Sequence, residues 1–142
     1  MKHLSLDLVR STEHSAISAA RLSGNNDPKE IDRVATEAMR AKLNELHFCG
    51  RVVLSEYEKD SSYSLEMGEM VGQLGLAWNQ EYTSAGSVGE YIDFQHKVPC
   101  YSLALDVVDG SRQCSIGGNE AVSVIVLAGE DCIFGTPYFY MS

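Results

Sequence analysis

No C-x-x-C pair occurs among the four cysteines, Cys49, Cys100, Cys114 and Cys132, and no histidine lies at zinc spacing from any of them. That argues against a structural zinc site. Basic residues are scarce: 11 Lys and Arg stand against 20 Asp and Glu, for a net charge of -9. Nucleic acids and anionic membranes need a basic surface, so neither is an expected partner. An acidic surface chiefly serves solubility, and it also suits a protein that binds divalent cations. No apolar run approaches the roughly eighteen residues that a membrane span needs. The opening residues, Met1 to Arg10, include Asp7 and no continuous apolar stretch, unlike a signal peptide. These absences predict a cytoplasmic protein whose thiols are buried and free. Internal repeats and low-complexity tracts are also missing.

What remains is the composition of an ordinary globular chain: 142 residues, 44% hydrophobic and 22% charged. A single domain over 1–142 with one core is expected. Residues 4–23 read as a helix, with Leu6, Val9, Ala16, Ile17, Ala19 and Ala20 at helical spacing. Gly24 and the two asparagines after it stop that helix. Asp27 can cap a second helix, Pro28 fits its first turn, and Glu30 can reach back in a capping box. Ile31, Val34, Ala35, Ala38, Met39 and Leu43 form its apolar face. After Gly50 the pattern turns to strands. Arg51–Leu54 is β-rich, 65–71 a plausible strand, and Tyr101–Val108 a third. Residues 121–127 (AVSVIVL) are apolar on both faces, as a central buried strand would be. Residues 72–98 have no clear period and read as a long excursion, with a hairpin around Tyr82–Tyr91 from the turn chemistry at 84–87. Ile133, Phe134 and Tyr138–Tyr140 suggest a last strand or extended tail. Two helices followed mostly by strands predict an α+β fold, with the helices packed on one face of a largely antiparallel sheet.

Three groups of residues can carry chemistry. A strand that ends Asp106-Val107-Val108-Asp109-Gly110-Ser111 places two carboxylates beside a tight turn. Hard cations such as Mg²⁺ and Mn²⁺ want carboxylate oxygens. Gly110 allows close approach to a ligand, and N–H groups at a helix start bind phosphate oxygens. The same spacing also serves a plain strand-ending turn whose acids cap a helix. Glu56 and Glu58 alternate on one strand face, where they either lie in solvent or share a cation. Asp32, early in the second helix, is either a dipole-favouring acid or a ligand.

Taken in order along the chain, these segments resemble the class II fructose-1,6-bisphosphatases of bacteria, among the lithium-sensitive, metal-dependent sugar and inositol phosphatases. Arg10-Ser11-Thr12-Glu13 resembles the family's R-x-T-E. Asp32 followed by Ala38-Met39-Arg40 and Leu43-Asn44 resembles its second helix. Ser55-Glu56-Tyr57-Glu58 stands where the family has G-E-G-E, and Met70-Val71-Gly72 where it has K-V-G. Asp106–Arg112 matches D-P-I-E-G-T-R, the most specific of these motifs. Ala121–Gly129 matches its next buried strand. Thr136–Met141 resembles A-P-D-M-Y-M.

The resemblance implies divalent-metal-dependent hydrolysis of a sugar phosphate, with Mg²⁺ or Mn²⁺ as cofactor. It assigns Asp32, Glu56, Asp106 and Asp109 to metal. It assigns Asp109, Gly110, Ser111 and Tyr140 to substrate. Ser111, Glu56 and Asp106 become the catalytic set, with Ser111 helping to position the attacking water. The match ends with the chain, just after Tyr140, so it covers the N-terminal half of the family's fold. The other half would supply most sugar-phosphate contacts and a further metal-binding acid. An alternative is a non-catalytic assembly protein, with a homo-oligomer or a protein partner covering the missing half. Four departures stand out. Ser55 and Tyr57 replace glycines, Val107 replaces a proline, Arg33 replaces a glycine and can pair with Asp32, and 73–98 is an insertion.

Overall fold

The computed structural model describes residues 4–55, 64–84 and 99–135. Helix α1 spans Leu4–Ala20 and α2 Pro28–Glu45. Strand β1 (Cys49–Ser55) and the short β2 (Met70–Val71) follow, then α3 (Gln73–Ser84). Strand β3 (Cys100–Asp109), the five-residue helix α4 (Ser111–Ser115) and β4 (Val122–Gly129) complete the described elements.

The four strands form one sheet in the order β2-β1-β3-β4. Two of its three pairings are antiparallel, and the central one, β1 with β3, is parallel. The α+β expectation therefore holds, with a mixed sheet. Side chains alternate across a strand. Val52, Leu103 and Leu105 accordingly share the face on which α1 and α2 lie, and they pack there with Leu8, Met39, Leu43 and Phe48. Cys49 and Cys100 fall on the opposite face, under Trp78 of α3. Helices thus pack against both faces, because α3 takes the side that the first two helices leave open.

Helix α2 starts as its sequence predicts. Asp27 is the N-cap, accepting from the Glu30 N–H at 3.1 Å, and Pro28 opens the first turn. The Glu30 carboxylate does not serve a capping box. It binds Arg33 at 2.6 and 2.7 Å, a bidentate pair that outweighs one backbone N–H.

The buried stripe of α1 differs from the one expected. Leu6, Val9 and Ile17 are exposed, whereas Leu8, Ser11, Ser15 and Ala19 are buried. Small residues let α1 approach α2 and β3 closely, and their hydroxyls find internal acceptors. Ser15 Oγ donates to the Val107 carbonyl at 2.9 Å. Hydrophobicity alone picks the wrong face when the contact is close and polar groups are paired.

Three other expectations change. Residues 73–84 are helical, so Tyr82 sits in α3 and not in a hairpin; the rest of that hairpin lies outside the described residues. The strand expected at 65–71 shrinks to Met70–Val71, because Gly68 and Gly72, both at positive φ, bracket it with turns. The 121–127 strand is neither central nor buried. It is the sheet edge among the described strands, and Val122, Val124 and Val126 are 50%, 43% and 51% exposed. Its inner residues Ile125 and Leu127 pack on the core, so only one of its two apolar faces is covered.

Cys132 is exposed, unlike the three other cysteines, and all four are free. Residues 133–135 form no strand, and Tyr138–Tyr140 lie outside the described residues. Among the described residues, no helix is long and apolar enough to cross a membrane.

Candidate functional site

Parallel pairing makes β1 and β3 run in the same direction, so their C-terminal ends share one edge of the sheet. Ser55, the last residue of β1, pairs with Leu105. The next residue of β3 is Asp106. In α/β sheets, ligands bind beyond the carboxyl ends of parallel strands, and here that edge carries Asp106, Asp109, Gly110 and Ser111.

The β3–α4 turn is built as its sequence requires. Pairing with β4 slips between Asp106 and Asp109, a bulge beyond which Asp109 pairs with Val122. Asp106 is half-buried and pairs in register with Val124, whereas Asp109 is exposed. Gly110 then adopts φ 93°, a left-handed conformation that L side chains avoid. A Cβ there would sit 3.3 Å from Ala121 Cα and 3.4 Å from Gln113 Oε1. Ser111 begins α4, and the Cys114 N–H closes the first turn on the Gly110 carbonyl at 3.0 Å. No side chain caps this helix, so its first N–H groups have no side-chain acceptor at the cap.

The turn is tied to the helices. Ile31 and Ala35, which bracket Asp32 in α2, pack with Ala19, Val108 and Cys114 in one buried cluster. Backbone bonds sew the α1–α2 link to the end of α4. Gly24 N–H donates to Cys114 O at 3.0 Å and Asn26 N–H to Ser115 O at 2.8 Å. The segment bearing Asp32 and the turn bearing Asp109 thus share one floor. The partners that the structure shows for Arg33, the residue after Asp32, are Glu30 and Glu37, the latter at 2.8 Å.

Glu56 and Tyr140 lie outside the described residues. The two ends of the segment that carries Glu56 are held, however. Ser55 Oγ donates to the Leu65 carbonyl at 2.5 Å. Arg40 of α2 donates to the Ser64 carbonyl at 2.6 Å and to Glu69 at 2.7 and 3.2 Å. Gly68 N–H reaches Val52 O at 2.7 Å. Ser55 therefore ties the end of β1 to the chain's return at Leu65. No sequence signal marks Arg40 or Ser55 for this role, since the Ser64 and Leu65 carbonyls and the Glu69 carboxylate are brought within reach only by the fold.

Among the described residues, no three His, Cys, Asp or Glu side chains converge on one point. Asp32, Asp106 and Asp109 offer the hard oxygen donors that Mg²⁺ and Mn²⁺ take, but the structure does not gather them into a cage. Magnesium sites commonly rest on one or two carboxylates, with water and substrate phosphate completing the shell. The donor chemistry fits such a site. A groove of about 550 Å³ between α1 and β4 lies elsewhere, lined by Leu8, Val9, Tyr101, Ser123, Ile125 and Leu127. It contains none of the candidate residues.

Comparison with known proteins bears on the whole chain. The model of the family described as bacterial fructose-1,6-bisphosphatase, glpX-encoded, matches residues 2–142. A D-fructose 1,6-bisphosphatase class 2/sedoheptulose 1,7-bisphosphatase of Synechococcus elongatus is 34% identical over 140 residues, 99% of this chain and 38% of its own length. Similar relatives occur in Microcystis aeruginosa, 30% identical over 138 residues, and in Synechocystis, 28% identical over 138 residues. Each match covers 97% of this chain and 37% of the relative. The chain spans little more than a third of the length of these curated relatives. On a family match from end to end, this chain belongs to the bacterial, glpX-encoded fructose-1,6-bisphosphatase family.

Proposed function

We propose that this chain contributes to the divalent-metal-dependent hydrolysis of a sugar phosphate, with fructose 1,6-bisphosphate as the first substrate to test. The observation that carries the reading is the β3–α4 turn. Two carboxylates flank the end of a strand, Gly110 is left-handed, and the uncapped N-terminus of α4 follows at once. Asp32, Asp106 and Asp109, with Glu56, would hold Mg²⁺ or Mn²⁺. Those ions, when bound, supply activation of water and neutralisation of phosphoryl charge. The N–H groups at Gly110 and Ser111 would take the phosphate oxygens, where the uncapped donors and the backbone dipole favour an anion. Ser111 Oγ would orient the attacking water, and Tyr140 would contact the sugar.

The relatives are named for fructose 1,6- and sedoheptulose 1,7-bisphosphate, which supports a sugar bisphosphate as substrate here. Nothing in their names supports a purely non-catalytic assembly role. The exposed valine row of β4 supports a further part of the reading: a second copy of this chain, or a protein partner, covers that face.

The test is phosphate release from fructose 1,6-bisphosphate with Mn²⁺ or Mg²⁺. Release that depends on metal and is lost in Asp106→Ala is the expected result. Release no greater than that of Asp106→Ala would overturn the reading for this substrate.

A further inference from the structure

We propose that Cys49 and Cys100 form a reversible disulfide that staples β1 to β3 at their N-terminal ends. The two residues are directly opposite in the parallel register. Their sulfurs lie 2.6 Å apart, against about 2.05 Å in a formed disulfide. Neighbouring strands run about 4.8 Å apart, inside the Cα separation of about 4.4–6.8 Å that a disulfide spans. Both side chains already point to the same face, so closure needs side-chain rotation and no rearrangement of the sheet.

The surroundings are suited to a specific reaction. Met70 and Trp78 enclose the pair, which keeps other thiols away. Cys114 belongs to a different cluster and Cys132 is exposed. The Cys49 S–H donates to the Cys100 sulfur, which holds the Cys100 thiol below its usual range, while burial opposes that shift and nearby Arg51 assists it. Cys100 is thus the attacking sulfur and Cys49 the resolving one.

The oxidant is a peroxide, small enough to enter a buried site. The Cys100 thiolate attacks hydrogen peroxide, forming an S–O bond and releasing hydroxide as the O–O bond breaks. Cys49 then attacks that sulfenic sulfur. The S–S bond forms, the S–O bond breaks, and the thiol proton leaves with the oxygen as water. Two thiols lose two electrons in total, and one peroxide is reduced to two waters. A dithiol reverses the step by exchange.

The closed loop contains β2, α3 and the whole excursion up to residue 99. A cross-link stabilises chiefly by restricting the unfolded chain, and more so for long loops. The oxidised protein should therefore melt on the order of 10 °C higher than the reduced protein. The bond sits at the opposite ends of β1 and β3 from the Asp106–Ser111 turn, so the inference does not rest on the proposed reaction.

The experiment treats the folded chain, carrying Cys132→Ser to remove the exposed thiol, with a small excess of hydrogen peroxide. Non-reducing peptide mapping and thiol counting follow. The expected result is a Cys49–Cys100 linked peptide, loss of two thiols and a raised Tm, all reversed by dithiothreitol. Cys100→Ala should stop the reaction. Persistence of free Cys49 and Cys100 in protein shown folded by circular dichroism would overturn the proposal, as would linkage of either residue to Cys114.

Discussion

Ser15, in the middle of α1, donates its hydroxyl to the backbone carbonyl of Val107, 92 positions further along the chain, at 2.9 Å. The bond lands between the two carboxylates of the candidate site, on the strand that bears both. Ser15 is fully buried. Ser15→Ala would leave the Val107 carbonyl without this donor in a dry contact, and it should cost about 1–2 kcal/mol. Denaturant unfolding would measure this; a midpoint identical to the parent would show that the bond contributes nothing net.

Arg40 links α2 to the return of the acidic segment through Ser64 and Glu69. The Arg40–Glu69 pair is about three-quarters buried at both side chains. Arg40→Met removes the fork but keeps much of the apolar stem. It leaves the Glu69 carboxylate with less compensation, so a loss of about 1–3 kcal/mol is expected. Manganese affinity, read by calorimetric titration, should fall with it. Unchanged affinity in a folded variant would separate the clamp from the metal site.

Gly110→Ala tests the turn itself. The left-handed backbone penalises the new Cβ, and Ala121 Cα stands 3.3 Å from it. We expect a loss of about 1–2 kcal/mol of stability. The reorientation of the Ser111 N–H should also lower phosphate release at least tenfold. Wild-type turnover in a stable Gly110→Ala protein would remove the turn from the proposed mechanism.

The Arg33 hydrogen bonds hold the Glu30 carboxyl below the usual carboxylate range. A depressed folded pKa stabilises above the unfolded value, about 4.3, and the contribution disappears as pH falls through the lower folded value. The pair should thus be intact at neutral pH and lost only in acid. Both side chains reach solvent, so the signature is spectroscopic. Carboxyl carbon shifts should show Glu30 titrating at higher pH in Arg33→Met than in the parent.

The parts of the fold legible in the sequence were those set by local chemistry. Asp27, Pro28 and the apolar spacing from Ile31 to Leu43 place α2, and Gly110 after an apolar strand places the β3–α4 turn. Sequence pattern and structure part where tertiary contacts decide. The buried stripe of α1 runs through Ser11 and Ser15, which a hydrophobic count passes over because their value lies in small size and in distant acceptors. Residues 73–84 lack strong helical periodicity, yet burial of Trp78 against Cys49, Met70 and Cys100 fixes that helix. The apolar character of 121–127 indicates a strand, but it points to a central, buried one, because pattern alone does not show that the strand lies at the sheet edge with its valine face exposed. The family is readable from ordered motifs along the chain. The Arg40 clamp and the Ser55 staple are not, because their acceptors, the Ser64 and Leu65 carbonyls and the Glu69 carboxylate, are brought to them only by the fold.

The parallel pairing of β1 with β3 also shapes how the chain folds. Cys49 and Cys100 meet across 51 positions, so no hairpin can zip the two strands together. The central pairing of the sheet must wait for a long-range encounter, which slows folding relative to the α1–α2 hairpin. Loop-closure entropy grows only logarithmically, however, and doubling a loop costs about 0.6 kcal/mol. The segment between these strands is therefore free to lengthen over evolution at little thermodynamic cost, with folding time as the variable that changes.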